Sequence, residues 1–211
     1  MVEHRIAGRK RKLTQQREPR QERSQQRRDD ILQHTAALLD RVGFDDLTTI
    51  LIAREMGISV GSLYHYFPNK QSILYALGEQ WLAEQTLALE EIAAQDLETM
   101  DLEAFIDAAF PRLLAVYREQ RGLLPLVQAM WAVPELRDLD DEHDEMIISR
   151  LATMFHRLGM TQSKPERERR GRLMLEMTHA LFISIVEQTG ARAARSLADL
   201  KALGVLLLDR E

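Results

Sequence analysis

Apolar positions along this chain recur every three to five residues, with little of the strict alternation that marks a strand. From Ser24 the pattern runs through Ile31, Ala36, Leu39 and Val42 and stops at Gly43, a residue suited to ending a helix. Thr48 can N-cap a second helix, TTILIAREM, which Gly57 ends. Ser59 can N-cap a third, short helix through Phe67, and Pro68 closes it. Past Asn69 the pattern predicts helices over 71–95 and 101–120, then a segment disturbed at its start by Gly122 and Pro125 that ends before Pro134. Helices over 135–158, 164–188 and 192–208 complete the chain, and no internal repeat is visible. The expected fold is all-α, about nine helices: a helix-turn-helix unit over 24–70 (motif about 48–67), then a helical domain over 71–211. Residues 1–23 lack apolar periodicity and contain Pro19, so they are expected to form a disordered basic arm.

The third helix carries four consecutive rings, Tyr64, His65, Tyr66 and Phe67. Successive helical residues turn by about 100°, so these cannot share one buried face. On a helical wheel Leu63 and Phe67 fall together, pointing toward Ile52, Ala53, Met56 and Leu39, while Gly61 and His65 fall opposite, flanked by Ser62 and Tyr64. A glycine inside a helix costs up to about 1 kcal/mol relative to alanine. Close approach of a partner backbone would explain keeping one. The surrounding hydroxyls and rings suit phosphates, base edges and thymine methyls, and Lys70 just beyond suits a phosphate.

Charge sharpens this picture. The 211 residues have a net charge of −5, which hides an asymmetry: residues 1–28 hold ten Lys/Arg against three Glu, and the remainder holds 18 basic and 30 acidic groups. An acidic body with a basic end points to a polyanion met at that end. There are no cysteines, which removes disulfides, thiolate catalysis and cysteine-ligated metals. No long apolar run reads as a membrane span, and no apolar segment follows the basic start as a secretory signal would require. A cytoplasmic location is the expectation.

The run LTTILIAREMGISVGSLYHYFPNKQSIL, preceded by RRDDILQHTAALLDRVGF, resembles the DNA-binding domain of the TetR family of bacterial transcriptional regulators over residues 27–75. The resemblance implies a repressor that binds a palindromic double-stranded operator as a homodimer and leaves it when a small molecule binds the C-terminal domain. Its DNA contacts, transferred to this sequence, are Thr49 on backbone phosphate, then Ser59, Val60, Gly61, Ser62, Tyr64, His65 and Tyr66 in the major groove or at its rims. Lys70 would bind phosphate at the start of the fourth helix. Ile50 and Leu51 depart from the family pattern, which often places a polar residue there. Either a contact is absent or this helix packs more deeply.

Beyond the head, the helix over 164–188 is apolar on more than one face, and the last helix carries Leu197, Leu200, Leu203, Leu206 and Leu207. Two such helices per chain would form a four-helix interface with two-fold symmetry. Phe110, Tyr117, Met130, Trp131, Met177 and Phe182 are the candidate effector-pocket residues, with Pro111 and Pro125 expected to kink the pocket helices and open space. That lining, together with the resemblance, implies a small, largely apolar effector. His179 reads as a hydrogen-bonded core histidine and DDEHDE (140–145) as a solvated acidic face, since no second histidine sits at helical metal spacing. No phosphate-cradling loop or nucleophile elbow is present, so no catalytic residue, metal or cofactor is expected. An architectural DNA-binding protein is the alternative, but it would have no use for the large acidic domain.

Overall fold

A computed structural model describes residues 18–209. Its nine α-helices, among the described residues, are α1 (Glu18–Asp46), α2 (Thr49–Glu55), α3 (Val60–Tyr66), α4 (Lys70–Ala93), α5 (Leu102–Glu119), α6 (Leu124–Ala129), α7 (Pro134–Arg157), α8 (Lys164–Val186) and α9 (Gly190–Leu208). Short 3-10 turns at Leu97–Thr99, Arg121–Leu123 and Met130–Ala132 join some of them. The all-α expectation and the helix order hold. None of these helices is long and apolar enough to cross a membrane.

Local chemistry explains the head. Gly43 interrupts α1 at φ 78 and Gly57 takes φ 64, left-handed backbone that side chains resist, so the chain turns sharply at both. Thr48 accepts the Leu51 N–H at 3.1 Å and Ser59 accepts the Ser62 N–H at 3.0 Å, capping α2 and α3 as their positions predict. Asn69 accepts from the Ser72 N–H at 2.7 Å while Ser72 reaches back to Asn69, a reciprocal cap on α4. Leu39, Leu47, Ile52, Leu63 and Phe67 are fully buried together, which fixes α3 across α2 and α1.

Two features differ from expectation. Helix α1 begins at Glu18 rather than Ser24, so the last part of the supposed arm is helical. Pro19 falls in the first turn, where a proline's missing N–H breaks no helical bond. Residues 1–17, the rest of the arm, lie outside the described residues. Pro125, expected to kink a helix, lies in the first turn of α6 where it kinks none, and Pro111 sits within α5, which continues through it.

In the larger domain α4, α5, α7 and α8 pack side by side, α9 closes against α5 and α8, and α6 meets α1. Arg170 is buried on α8 and donates to Glu166 and to the Leu208 carbonyl at 2.8 Å, tying α8 to the C-terminal end of α9. Arg157 donates to Glu98, Ala93 and Gln95 and so locks α7 onto the turn after α4. Helix α4 belongs to both regions: it starts beside the head at Lys70 and continues into the centre of the larger domain at Trp81 and Leu89.

Candidate nucleic-acid interface

Helix α3 buries one edge and presents the other. Leu63 is inaccessible, Val60 and Tyr66 are half-buried against the core, and Gly61, Ser62, Tyr64 and His65 are exposed. A side chain at Gly61 would meet nothing closer than the Ser59 hydroxyl at 3.9 Å. Nothing inside the described chain therefore requires glycine here. The position is open enough for an external surface to approach the helix backbone closely.

The polar groups around Gly61 are partly pre-arranged. Ser59 and Ser62 share a hydroxyl–hydroxyl hydrogen bond of 2.8 Å. Tyr64, 46% exposed, brings its hydroxyl to 3.1 Å from the Thr49 hydroxyl, which ties the first turn of α2 to the outward face of α3. His65 stands edge-on to Tyr66 at 5.2 Å. Thr49, Ser59, Gly61, Ser62, Tyr64 and His65 thus gather on one surface, with Val60 and Tyr66 supporting it from beneath.

Lys70 is placed differently from the other expected contacts. Its ammonium donates to the Phe44 carbonyl at 3.0 Å and lies 4.8 Å from the centre of the Phe44 ring. Burial lowers its pKa, with Asp45 opposing the shift. One of its three donors therefore holds the α1–α2 connection, and two are left for an anion. No local pattern in the chain signals this tether, nor the role of Arg28. Counted among the arm's charges, Arg28 instead donates to the Tyr66 carbonyl at 2.9 Å and covers the Phe67 ring at 4.4 Å, fastening the end of α3. Ile50 is 68% exposed, so α2 is not packed more deeply at that position.

A second site lies inside the larger domain. A cavity of about 790 Å³, counted with its open mouth, is enclosed by α4, α5, α7 and α8. Phe110, Tyr117 and Phe182 line it as expected. Met130, Trp131 and Met177 do not: Met130 is buried near Gly78, Trp131 is 62% exposed, and Met174 faces the cavity in place of Met177. The missing signal was helical phase, since Met174 and Phe182 share a face with Thr178 whereas Met177 turns away.

The acidic stretch on α7 is not wholly solvated. Asp140, His143 and Asp144 line the cavity and are only partly exposed. Burial pushes the Asp144 carboxyl up to about 7, reinforced by Asp140, Glu176 and Asp141 and opposed by Arg172. Burial likewise raises Asp140, partly offset by Trp131. His143 bonds the Thr86 hydroxyl and His179 the Tyr117 hydroxyl, each at 2.9 Å, and burial lowers the pKa of both imidazoles. His179 is hydrogen-bonded as expected, but it borders the cavity. Among the described residues no group of three or more His, Cys, Asp or Glu is disposed to hold a metal ion.

A short helix, capped and anchored by a preceding helix, with an outward glycine and polar rim, defines a helix-turn-helix DNA-binding regulator. Comparisons with known proteins agree. The family model described as bacterial regulatory proteins of the tetR family matches residues 31–77, and that described as the tetracyclin repressor-like C-terminal domain matches 101–206. The chain belongs to the TetR family, and it is a DNA-binding transcriptional regulator.

Among curated proteins it is 28% identical to the HTH-type transcriptional regulator BetI 1 of Chromohalobacter salexigens, over 74% of this chain and 77% of the relative. It is 30% identical to BetI of Stenotrophomonas maltophilia over 63% of this chain and 68% of that one. Among solved structures, PfmR of Thermus thermophilus shares 22% identity at a TM-score of 0.62, covering 85% of this chain and 97% of that chain. A TetR regulator of Haloarcula marismortui shares 20% identity at 0.68, covering 88% and 97%. Both share the fold. Homodimers, repression and release by an effector are typical of the family.

Proposed function

We propose that the protein is a homodimeric repressor that reads a palindromic operator through α3 and releases it when a small molecule occupies the cavity. The observation that carries this reading is Gly61: an exposed helical glycine with open space around it, ringed by Ser62, Tyr64 and His65. Seated in the major groove, α3 places Gly61 against the groove wall and turns Tyr64, His65 and Ser62 toward base edges. Ser59, Val60 and Tyr66 border the groove. Thr49 and the two remaining donors of Lys70 reach flanking phosphates.

Leu173, Leu203 and Leu206 supply the dimer surface; on α8 and α9 they are 43%, 46% and 52% exposed although large and apolar. Two short reading helices, one from each subunit, then meet two half-sites related by the same two-fold axis. Effector occupancy reaches the DNA through α4. Its Trp81, Gln85 and Leu89 line the cavity, and its first residue holds Phe44 of the head. Contact between α1 and the turn at Gly122, where an added side-chain carbon would lie 3.2 Å from the Ala36 carbonyl, gives a second path.

Selection of bound DNA from a random pool with purified protein tests the reading. A two-fold symmetric sequence should emerge, with half-sites about one helical turn or a multiple apart. Equal affinity for scrambled DNA would instead favour an architectural role.

A further inference from the structure

The cavity carries its charge on one wall. Asp140 and Asp144 stand one turn apart on α7, so both carboxylates border the same space. Facing them are the rings of Trp81, Phe110, Tyr117 and Phe182. Among the described residues no lysine or arginine lines the cavity. His143 and His179 do not compensate, because burial favours their neutral forms and each is already hydrogen-bonded to a hydroxyl. The other charges acting on Asp144 are mostly of its own sign: Asp140 and Asp141 on α7 and Glu176 on α8. Arg172 is the opposing cation, and it is spent in an ion pair with Glu145. Asp144 itself has neither a hydrogen bond nor an ion pair among the described residues. On the α4 wall, the Gln85 amide nitrogen is buried and has no partner among the described residues.

A carboxylate half-withdrawn from water and left without a counter-ion is costly, and so is a buried amide without an acceptor. A ligand that removed the first of these costs would bind strongly here, and one that also carried an acceptor for Gln85 would remove the second. A neutral ligand leaves Asp144 unpaired, and an anion is repelled. The aromatic wall is suited to an alkylated ammonium, whose charge is attracted to ring faces and whose carbon surface is desolvated cheaply. A hard metal cation would find too few oxygen ligands among such walls.

We infer that the cavity selects an organic cation, its positive group set against Asp140 and Asp144 and its apolar body among the rings of Trp81, Tyr117 and Phe182. This rests on the reading of the cavity as the effector site, and it adds a positive charge to the expected largely apolar effector. Binding draws on the ionised form of Asp144. Affinity therefore rises with pH until that carboxyl is fully ionised, and binding below that point releases a proton.

Calorimetry on the full-length protein tests this with benzyltrimethylammonium, its neutral carbon isostere neopentylbenzene, and phenylacetate, at pH 6 and pH 8. The cation should bind at least about tenfold more tightly than the isostere, with the preference growing at pH 8, and phenylacetate should bind least. Asp144→Asn should remove about tenfold of the cation's affinity or more while leaving the isostere's unchanged. The same variant should raise the melting temperature of the ligand-free protein at pH 8, so loss of binding cannot come from loss of folding. Equal binding of cation and isostere, unaltered cation affinity in Asp144→Asn, or no binding of the cation would each overturn the inference. Operator affinity, measured alongside, separates the two layers. Cation binding through Asp144 with no operator release leaves the cation site standing and refutes its effector role. Release by the neutral compound, indifferent to Asp144, keeps the effector role and refutes cation selection.

Discussion

The head and the larger domain solve opposite problems with the same helices. In the head, the groups proposed to recognise DNA lie on the surface of one short helix and its cap, open to solvent. In the larger domain, recognition is turned inward, and Asp140, Asp144 and Gln85 are left imperfectly satisfied around a cavity. A DNA duplex brings its own charge and water, so its reader can be well solvated beforehand. A small ligand must be enclosed, and the enclosing groups carry a cost until it arrives.

This contrast can be broken most severely at Leu63. It is fully buried between α3 and the rest of the head, so Leu63→Ala should cost about 2–5 kcal/mol of the head's stability and abolish operator binding. Ligand binding in the cavity should survive, because no residue of α3 lines it. Two separate transitions in a thermal melt followed by tryptophan fluorescence and circular dichroism would establish the division; joint loss of both activities would show that the regions fold as one.

Gly61→Glu probes the outward face alone. With open space around position 61, the fold should be kept, and the melting temperature should hold or rise slightly as a helical glycine is removed. Operator affinity should nevertheless fall at least about 100-fold, about 2.8 kcal/mol, because bulk and negative charge are pressed toward phosphate. Fluorescence anisotropy with labelled operator measures it. Wild-type affinity would mean that another surface reads the DNA.

The inward region should show a pH signature that the head lacks. Asp144 is pushed up to about 7 in the folded protein against an ordinary 3.8, so between those values the folded state binds more protons than the unfolded one. Its contribution therefore lowers stability as pH rises from about 4 to about 7 and is constant above. Asp144→Asn should flatten that part of the pH–stability curve and give the larger gain at pH 8. Denaturant titrations of both proteins across this range check the sign. A variant less stable than wild type at pH 8 would show that the carboxylate is paired after all.

Lys70 lies at the junction and should give the smallest effects, on both sides. Lys70→Ala removes the donor to the Phe44 carbonyl and should cost about 1 kcal/mol of stability. If the remaining donors meet a phosphate, the slope of log affinity against log salt should also become shallower by about one. An unchanged slope with a lower melting temperature would make Lys70 a structural tether alone.

Features that depend on neighbours a few positions apart were legible in the chain before any fold was known. Helix number, the caps at Thr48 and Ser59, the turns at Gly43 and Gly57, and the inward and outward sides of α3 all follow from local spacing and backbone chemistry, and the structure reproduces them. The start of α1 escaped because a first-turn proline looks like a helix breaker until its position is known. Long side chains, by contrast, took their roles from folding. Arg28 and Lys70 read as free basic groups, yet each finds a carbonyl and a ring brought near from a distant part of the chain. The cavity belongs entirely to this second kind. Its lining comes from α4, α5, α7 and α8, so its composition depends on the phase of each helix about its axis. Helix phase swaps Met177 for Met174, and it turns Asp140 and Asp144 from a solvated acidic surface into the charged wall of an apolar chamber.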